Sequence, residues 1–568
     1  MTLAETASRD APLTLDRGGF SCWTSETSVR LTREDFWRLA GAYMTAIEAE
    51  PRIGGFGLIV AQTSLEMMAL FVAMIAAGRQ VSFFPPSSTR QDGEAYLEQQ
   101  REAVLNIGPS SILLFEHGDE ALGRIDPRLS ARAVRLPRLV PGSADSADRA
   151  RTGFARALDR DAPLFWQHSS GTTGIKKAVG VTGVALERQF QSYWSRIEAN
   201  LGDTPPKVAS WLPLYHDMGL LAGFLLPLMG GAPLAVMDPF DWVETPQRFL
   251  EMIAAEGCSV CWMPNFAFRH YVRLRRLVPR HELNSMRLWI SCSEPCRYAD
   301  ALAFEAAYAD LDVREGAVLG CYAMAETVFA VSQLDAGAQQ ALIVPRGLEP
   351  GASVAAAGGY QTRERTLDLE PKRQAVLSSG ATIPGVEAKV FVNGEATVGE
   401  GVYGEIGLEG GFVFEGYRGL GREESNLRPD GVYMTGDLGA VIGGQLYVFG
   451  RSKEIIIVNG KNLYAGDVEE RAGSVPGVRP GRVAAFGLAN PALGTEELIV
   501  VVERDPAAAL TDEAIRAGVI AQVSDAFLVK PHDVRLIDGR WLVKTTSGKV
   551  SRTRNKAKYL RDFRPDLA

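Results

Sequence analysis

WQHSSGTTGIKKAV, from Trp166 to Val179, crowds hydroxyls, glycines and two lysines into one short stretch. Gly171 and Gly174 let the backbone turn without steric penalty and bring amide N–H groups close to an anion, while Ser169, Ser170, Thr172 and Thr173 add hydroxyl donors. Lys177 brings a mobile positive charge to the same place. The composition is that of a phosphate grip. Its spacing is not that of the NTPase phosphate loop, which needs a second glycine followed by Lys and Ser or Thr and then a helix. APLFWQH before it is apolar and β-prone, and AVGVT after it is β-branched, so the loop is expected between two strands with a helix beginning near Val184. Stretches rich in Ser, Thr and Gly are usually solvated turns, so the reading needs support from the rest of the chain.

Toward the N-terminus, an opening strand near Cys22, the helical LTREDFWRLAGAYMTAIEA, the strand GFGLIVAQ and the helical SLEMMALFVAMIAAG alternate as far as about Gln80. Such alternation implies an α/β domain of layered subdomains with parallel strands. VSFFPP (81–86) reads as a further strand, YLEQQREAVLNI as a helix and SSILLFE as a strand; a polar, arginine-containing segment (118–160) then leads to the loop. Residues 1–19 read as a disordered tail. Beyond the loop, a helix through 184–200 precedes the strand VASWLPL, which delivers Tyr215, His216 and Asp217 at its end, where ligands bind in such sheets. LWISCSEPC (288–296) and VLGCYAMAET (318–327) read as paired strands with polar ends, and ATIPGVEAKVFV with YGEIGLEG as a small antiparallel, β-barrel-like subdomain.

At 568 residues the chain is too long for one hydrophobic core, so two or more domains are expected. A net charge of −8 weighs against a general nucleic-acid binder. MTLAETASRDAPL lacks a basic start followed by an apolar core, so no export signal is read and a cytoplasmic location is expected. LEMMALFVAMIAAG (65–78) is too short to span a bilayer, and LLAGFLLPLMGGAPLAVM (220–237) is broken by prolines and glycines into a helix, a turn and a strand; no membrane span is expected. Cys258, Cys261, Cys292 and Cys296 could be imagined as a zinc set, but CSVCWMP has the pattern of a buried strand, in which positions three apart face opposite ways. Free, reduced, buried thiols are the expectation.

The loop is joined, in order, by LPLYHDMGL (212–220), CYAMAET (321–327), YMTGDLG (433–439), GRSKEIIIVNGKNLYAGDVEE (450–470) and KTTSGKVSR (544–552). Together these resemble the adenylate-forming superfamily of acyl ligases, and HDMG with Ala325 before Glu326 resembles its fatty acyl-AMP ligase branch. The resemblance implies a large adenylation domain (20–450), a hinge (451–453) at Lys453 and a small mobile α+β domain (454–568). It implies ATP and Mg²⁺ as cofactors, with Ser169 to Gly174 and Lys177 on the phosphates and Glu326 on the metal. It places Ser293, Glu294 and Pro295 beside the adenine and Tyr322 stacked on it, within the nucleotide-binding run Cys321, Tyr322, Ala323, Met324 and Ala325. Asp437 and Arg451 fall to the ribose, and Gly460 to the passage of a pantetheine arm. Tyr215, His216 and Asp217 line the acyl pocket, His216 positioning the acyl group and Asp217 orienting His216. Lys549 is the implied catalytic lysine, standing between an incoming carboxylate and the α-phosphate. Lys176 stands where the family usually has proline and Ala178 where it usually has glycine, and Ala325 replaces the usual threonine.

The implied reaction is ATP-dependent activation of a fatty acid to acyl-AMP, followed by transfer to the phosphopantetheine thiol of an acyl carrier protein. An acyl-CoA ligase and an inactive acyl-adenylate-binding homologue are the alternatives. The long segment 331–378, with GLEPGASVAAAGGYQ as an exposed loop, is either the insertion that sets the fatty acyl-AMP branch apart or a tolerated surface insertion. The stretch 540–564 holds nine Lys and Arg against one Asp, and is either a solvated charged helix or a docking surface for an acidic carrier.

Overall fold

Leu65–Ala76 explains the layering: capped by the Ser64 hydroxyl, it buries every residue except Glu66. A helix apolar all round must be covered on every side. Helices Arg33–Ala49 and Ala144–Leu158 flank it, and it packs on strands of two different sheets. The computed structural model describes residues 19–85, 104, 107–115, 127–168, 177–278, 280–490, 494–539, 541–544 and 550–565. The disordered tail expected at the N-terminus, apart from its last residue, and most of the helix read in YLEQQREAVLNI lie outside them.

One sheet has six strands, with Phe56–Val60 between Gln80–Phe84 and Ser111–Leu114, all parallel. The strands around the phosphate loop, Pro163–His168 and Ala178–Thr182, pair antiparallel at its edge as the sequence suggests. The second sheet has nine strands with a parallel centre, in which Val260–Pro264, Leu288–Cys292 and Val318–Ala323 lie side by side. The opening strand departs from expectation. Phe20–Trp23 folds back antiparallel on Ser28–Leu31 and joins this second sheet beside Leu234–Met237. Local alternation predicts strand and helix but carries no record of which sheet a strand enters.

Two further differences have local causes. Ala144–Leu158 is a helix inside the segment read as merely polar; its buried face is made of Ala147, Ala150, Phe154, Ala157 and Leu158, and alanines mute the periodic signal. VASWLPL stays a strand only over Val208–Ser210: Pro213 has no N–H for a ladder, and its carbonyl instead accepts from His216. A π-helix, Met218–Leu225, follows directly.

The barrel-like subdomain is a five-stranded antiparallel sheet that runs from edge to edge without closing, ending on Tyr433–Ile442 and Gln445–Arg451. Segment 331–378 builds a three-stranded sheet from Ala341–Pro345, Tyr360–Thr362 and Arg373–Leu377, and its expected exposed loop is pinned by buried Leu348 and Val354. Two apolar clusters contain only residues from Ile456 onward, while the largest contains none beyond Leu446. Among the described residues no helix is long and apolar enough to cross a membrane, no cluster of metal-ligating side chains occurs, and all six cysteines are free thiols. The basic helix Arg552–Phe563 turns much of its charge inward: Arg552 bridges Glu454 and Glu469, Lys556 donates to the Gly487 carbonyl and Lys558 to that of Trp541.

Helix Ala465–Gly473 meets the larger part of the molecule through charge. Asp467 accepts from Arg297 at 3.1 Å on one oxygen and lies 3.0 Å from Arg346 on the other, and Glu470 pairs with Arg297. The side chains of Arg346 and Asp467 are each 8% exposed, so little solvent screens them. Arg346→Met is expected to remove about 3 kcal/mol from the first unfolding transition, read as an earlier denaturant midpoint. A midpoint unchanged from the parent would show that desolvation cancels the pairing.

Candidate active site

Asp437 lies on the last strand but one of the five-stranded sheet, in register with Arg451 on the neighbouring strand. Its approach is shaped by Gly436, at φ +73°, and by the Thr435 hydroxyl, which accepts from the Asp437 N–H. Only 6% exposed, the carboxylate accepts from the Tyr322 hydroxyl at 2.6 Å and from Arg451 Nε at 3.2 Å. Burial pushes the Asp437 carboxyl above its usual range, while Arg451 and the tyrosine hydroxyl pull it back. Burial and the neighbouring carboxylate push the Tyr322 phenol up, keeping it a neutral donor. An acceptor with several lone pairs and a fixed cation alongside is suited to a pair of vicinal hydroxyls.

Glu326 sits on a turn under strain. Val328, a β-branched residue, takes φ +64° and ψ −55°, and the Phe329 N–H donates to the Thr327 carbonyl at 2.7 Å, closing a γ-turn of the unfavoured hand. Such backbone costs about 1–3 kcal/mol and persists only where surroundings fix it. Here Gln167, on the strand leading into the phosphate loop, donates to the Val328 carbonyl at 2.9 Å, and Gln189 accepts from the Phe329 N–H. The turn and the loop's stem are therefore one unit. Glu326 is 7% exposed; one carboxylate oxygen accepts from the Tyr417 hydroxyl, and among the described residues the other receives no hydrogen bond. A buried carboxylate with one oxygen committed and one open fits a hard cation that takes most of its ligands from phosphate and water.

Tyr417 was not singled out from the sequence; the run FVFEGYRG, aromatic between glycines, is the signal that could have marked it. Its ring lies 4.5 Å from the Lys177 ammonium, and its backbone bridges Val179, so it also braces the far stem of the phosphate loop. Ser169, Ser170, Gly171, Thr172, Thr173 and Gly174 lie outside the described residues.

Ser293 leaves the strand Leu288–Cys292 at φ +66° and is exposed, as is Pro295. Glu294 has another engagement: its carboxylate accepts from the Phe266 N–H at 2.9 Å, at the start of helix Asn265–Leu274. Cys321, Tyr322 and Ala323 end the neighbouring strand, and Met324 and Ala325 lead into the Glu326 turn. The Ser293 hydroxyl contacts the Met218 sulfur at 3.6 Å, which joins this strand end to the Tyr215–Asp217 turn. There Asp217 accepts from the Met218 N–H at 2.8 Å and starts the π-helix, while the Tyr215 and His216 rings lie 5.3 Å apart. Gly219 admits no side chain, since a Cβ would meet the Pro213 carbonyl at 2.2 Å. Behind the turn, Trp211 stacks on Trp242 at 3.7 Å with Phe266 edge-on to both, an apolar wall.

Lys549 lies outside the described residues, but the stems of its segment are held. Lys544 bridges Val550, and buried Asn555 clamps Val543 through both its amide groups. Burial pushes the Lys544 ammonium down to about 8, against the pull of Glu503 and of Glu294 beside Ser293. Lys453 is exposed on the short turn Ser452–Glu454, and Gly460 (φ +75°) forms the tip of the hairpin Ile455–Tyr464 with open space around it.

A family model described as AMP-binding enzyme matches residues 25–418. The chain is 27% identical over 556 residues to long-chain-fatty-acid–AMP ligase FadD32 of Mycolicibacterium smegmatis, covering 88% of this chain and 84% of that one. It is 27% identical over 533 residues to putative fatty-acid–CoA ligase fadD21 of Mycobacterium leprae, covering 89% and 87%. Among solved structures, one from a study of fatty acyl-adenylate ligases of E. coli and L. pneumophila superposes with a TM-score of 0.75 at 21% identity, covering 99% and 98% of the two chains, which establishes the likeness of fold.

Proposed function

Because the chain belongs to the AMP-binding enzyme family, we propose that it joins a carboxylic acid, in first place a fatty acid, to the α-phosphate of ATP, and passes the acyl group to the phosphopantetheine thiol of an acyl carrier protein. The observation that carries this reading is the meeting of Tyr322 and Arg451 on the buried Asp437 carboxylate, in a cluster whose charge also acts on Glu326. Tyr322, more than a hundred positions before Asp437 and Arg451, completes with them a polar cluster near a carboxylate suited to a metal.

In the reaction a carboxylate oxygen bonds to the α-phosphorus as the bond from that phosphorus to the α,β-bridging oxygen breaks, and the β- and γ-phosphates leave together as pyrophosphate, giving acyl-AMP. Two anions must approach, so the barrier is electrostatic first, and no base is needed because the acid is ionised near neutral pH. Lys549 supplies positive charge between carboxylate and α-phosphate; Lys177 and the 169–174 hydroxyls and amides hold the departing phosphates. Asp437 and Arg451 hold the ribose, Tyr322 the adenine face. Glu326 would hold the Mg²⁺ that accompanies ATP, and that cation would supply charge neutralisation for the departing phosphates. His216 and Tyr215 orient the acyl carboxylate against the wall of Trp211 and Phe266. A swing of the small domain about Lys453 then withdraws Lys549 and brings the hairpin of Gly460 toward the entering thiol.

The name of FadD32, an AMP ligase, supports acyl-AMP as the product, and the placement of the long segment 331–378 supports a carrier as acceptor; the name of fadD21 favours coenzyme A. ATP–pyrophosphate exchange across a panel of carboxylic acids reports the first step. With a pantetheinylated carrier and free CoA offered in parallel, acylated carrier is expected to dominate. Abundant acyl-CoA in that assay would move the assignment to the CoA ligases.

A further inference from the structure

Tyr417 touches three parts of the site at once. Its hydroxyl donates to Glu326 and lies 3.2 Å from the Tyr433 hydroxyl; its ring carries the Lys177 ammonium; its N–H donates to the Ser425 hydroxyl at 3.0 Å. Edge-on contacts with Phe414, whose N–H donates to the Glu326 carbonyl at 2.7 Å, fix the ring further. The residue is 8% exposed, and against a carboxylate, which only accepts, its hydroxyl is the donor.

We propose that Tyr417 is the positioning residue of the cation site: its hydroxyl pins one oxygen of Glu326 and thereby presents the other, singly, to the metal that accompanies ATP. The inference rests on the reading of Glu326 as the magnesium ligand. Magnesium demands near-octahedral geometry and is commonly bound through one or two carboxylates with phosphate and water completing its shell. A carboxylate free to rotate could chelate through both oxygens or turn away; one held by a buried phenol offers a single oxygen at a set angle, as outer partners do for other metal ligands. The strained turn at Val328 and the Phe414 contact fix the backbone of Glu326, and Tyr417 fixes its side chain. The same ring seats Lys177, so the metal side and the phosphate side of the site share one rigid support.

The test is equilibrium binding of ATP by calorimetry without any acid, in EDTA and in saturating Mg²⁺, on the full chain. Wild-type protein is expected to bind ATP more tightly with Mg²⁺, and Glu326→Gln to lose that gain. Tyr417→Phe keeps the ring, its packing and the Lys177 contact and deletes only the hydroxyl. It is expected to leave affinity in EDTA unchanged and to cut the Mg²⁺-dependent gain about tenfold, with a similar rise in the Mg²⁺ needed for half-maximal pyrophosphate exchange. A full gain in Tyr417→Phe, or equal losses with and without metal, overturns the proposal and leaves the tyrosine a packing residue. A full gain in Glu326→Gln overturns the metal reading of that glutamate, and the proposal with it, which separates the two failures.

Discussion

Lys549→Ala is expected to slow acyl-AMP formation by about 10²–10³-fold, the loss that follows removal of one preorganised charge donor at a developing anion. The effect should fall on the rate and not on binding, because the lysine is needed where carboxylate and α-phosphate are forced together and much less where each sits apart. Nucleotide affinity should therefore stay within a few-fold of the parent. Chemically prepared acyl-AMP supplied to the variant should pass its acyl group to a carrier at the parental rate, since that step brings no two oxyanions together. The structure gives the segment around Lys549 a firm root: Asn555 clamps Val543, Lys544 bridges Val550, and Glu294 acts on Lys544 from beside Ser293. Lys544 cannot simply take over, because its backbone is fixed in that bridge and its ammonium is partly discharged near pH 8. Pyrophosphate release undiminished in Lys549→Ala would remove the mechanism's central charge.

What the sequence showed was what short range encodes. The strands on either side of the phosphate loop, the buried Leu65–Ala76 helix and the strand ends carrying Ser293 and Tyr322 all follow from local patterns of apolar residues. The return of Phe20–Trp23 to the second sheet depends on pairing with Leu234–Met237, more than two hundred residues away, and leaves no periodic trace. The site divides in the same way. Tyr322, Glu326 and Asp437 sit in short runs whose resemblance could be read directly. Tyr417 could not be found so, because its importance comes from three partners on separate elements. Glu294 adds a contact of the same long-range kind: its carboxylate accepts from the Phe266 N–H at the start of helix Asn265–Leu274, visible only once that helix is packed against the strand end.

Asp437→Asn should raise the KM for ATP by about 10²-fold, the scale of losing charge from hydrogen bonds to two hydroxyls at roughly 1.5–3 kcal/mol each. An amide of the same shape keeps the packing and can still accept from Tyr322, but it leaves the partly exposed Arg451 without its counter-charge. Part of the loss could then come from that orphaned cation and not from the ribose, so the substitution alone does not decide. A cycle between protein and ligand does: ATP and its 2′-deoxy and 3′-deoxy forms, each against parent and Asp437→Asn. If Asp437 receives the ribose hydroxyls, the parent should discriminate strongly against the deoxy nucleotides and the variant hardly at all, because the missing hydroxyl has already lost its acceptor. If the carboxylate serves only to hold Arg451, both proteins should discriminate equally, and the penalties of variant and deoxy substrate should add. Additivity would take the ribose away from Asp437, and with it the observation on which the nucleotide reading of this pocket stands.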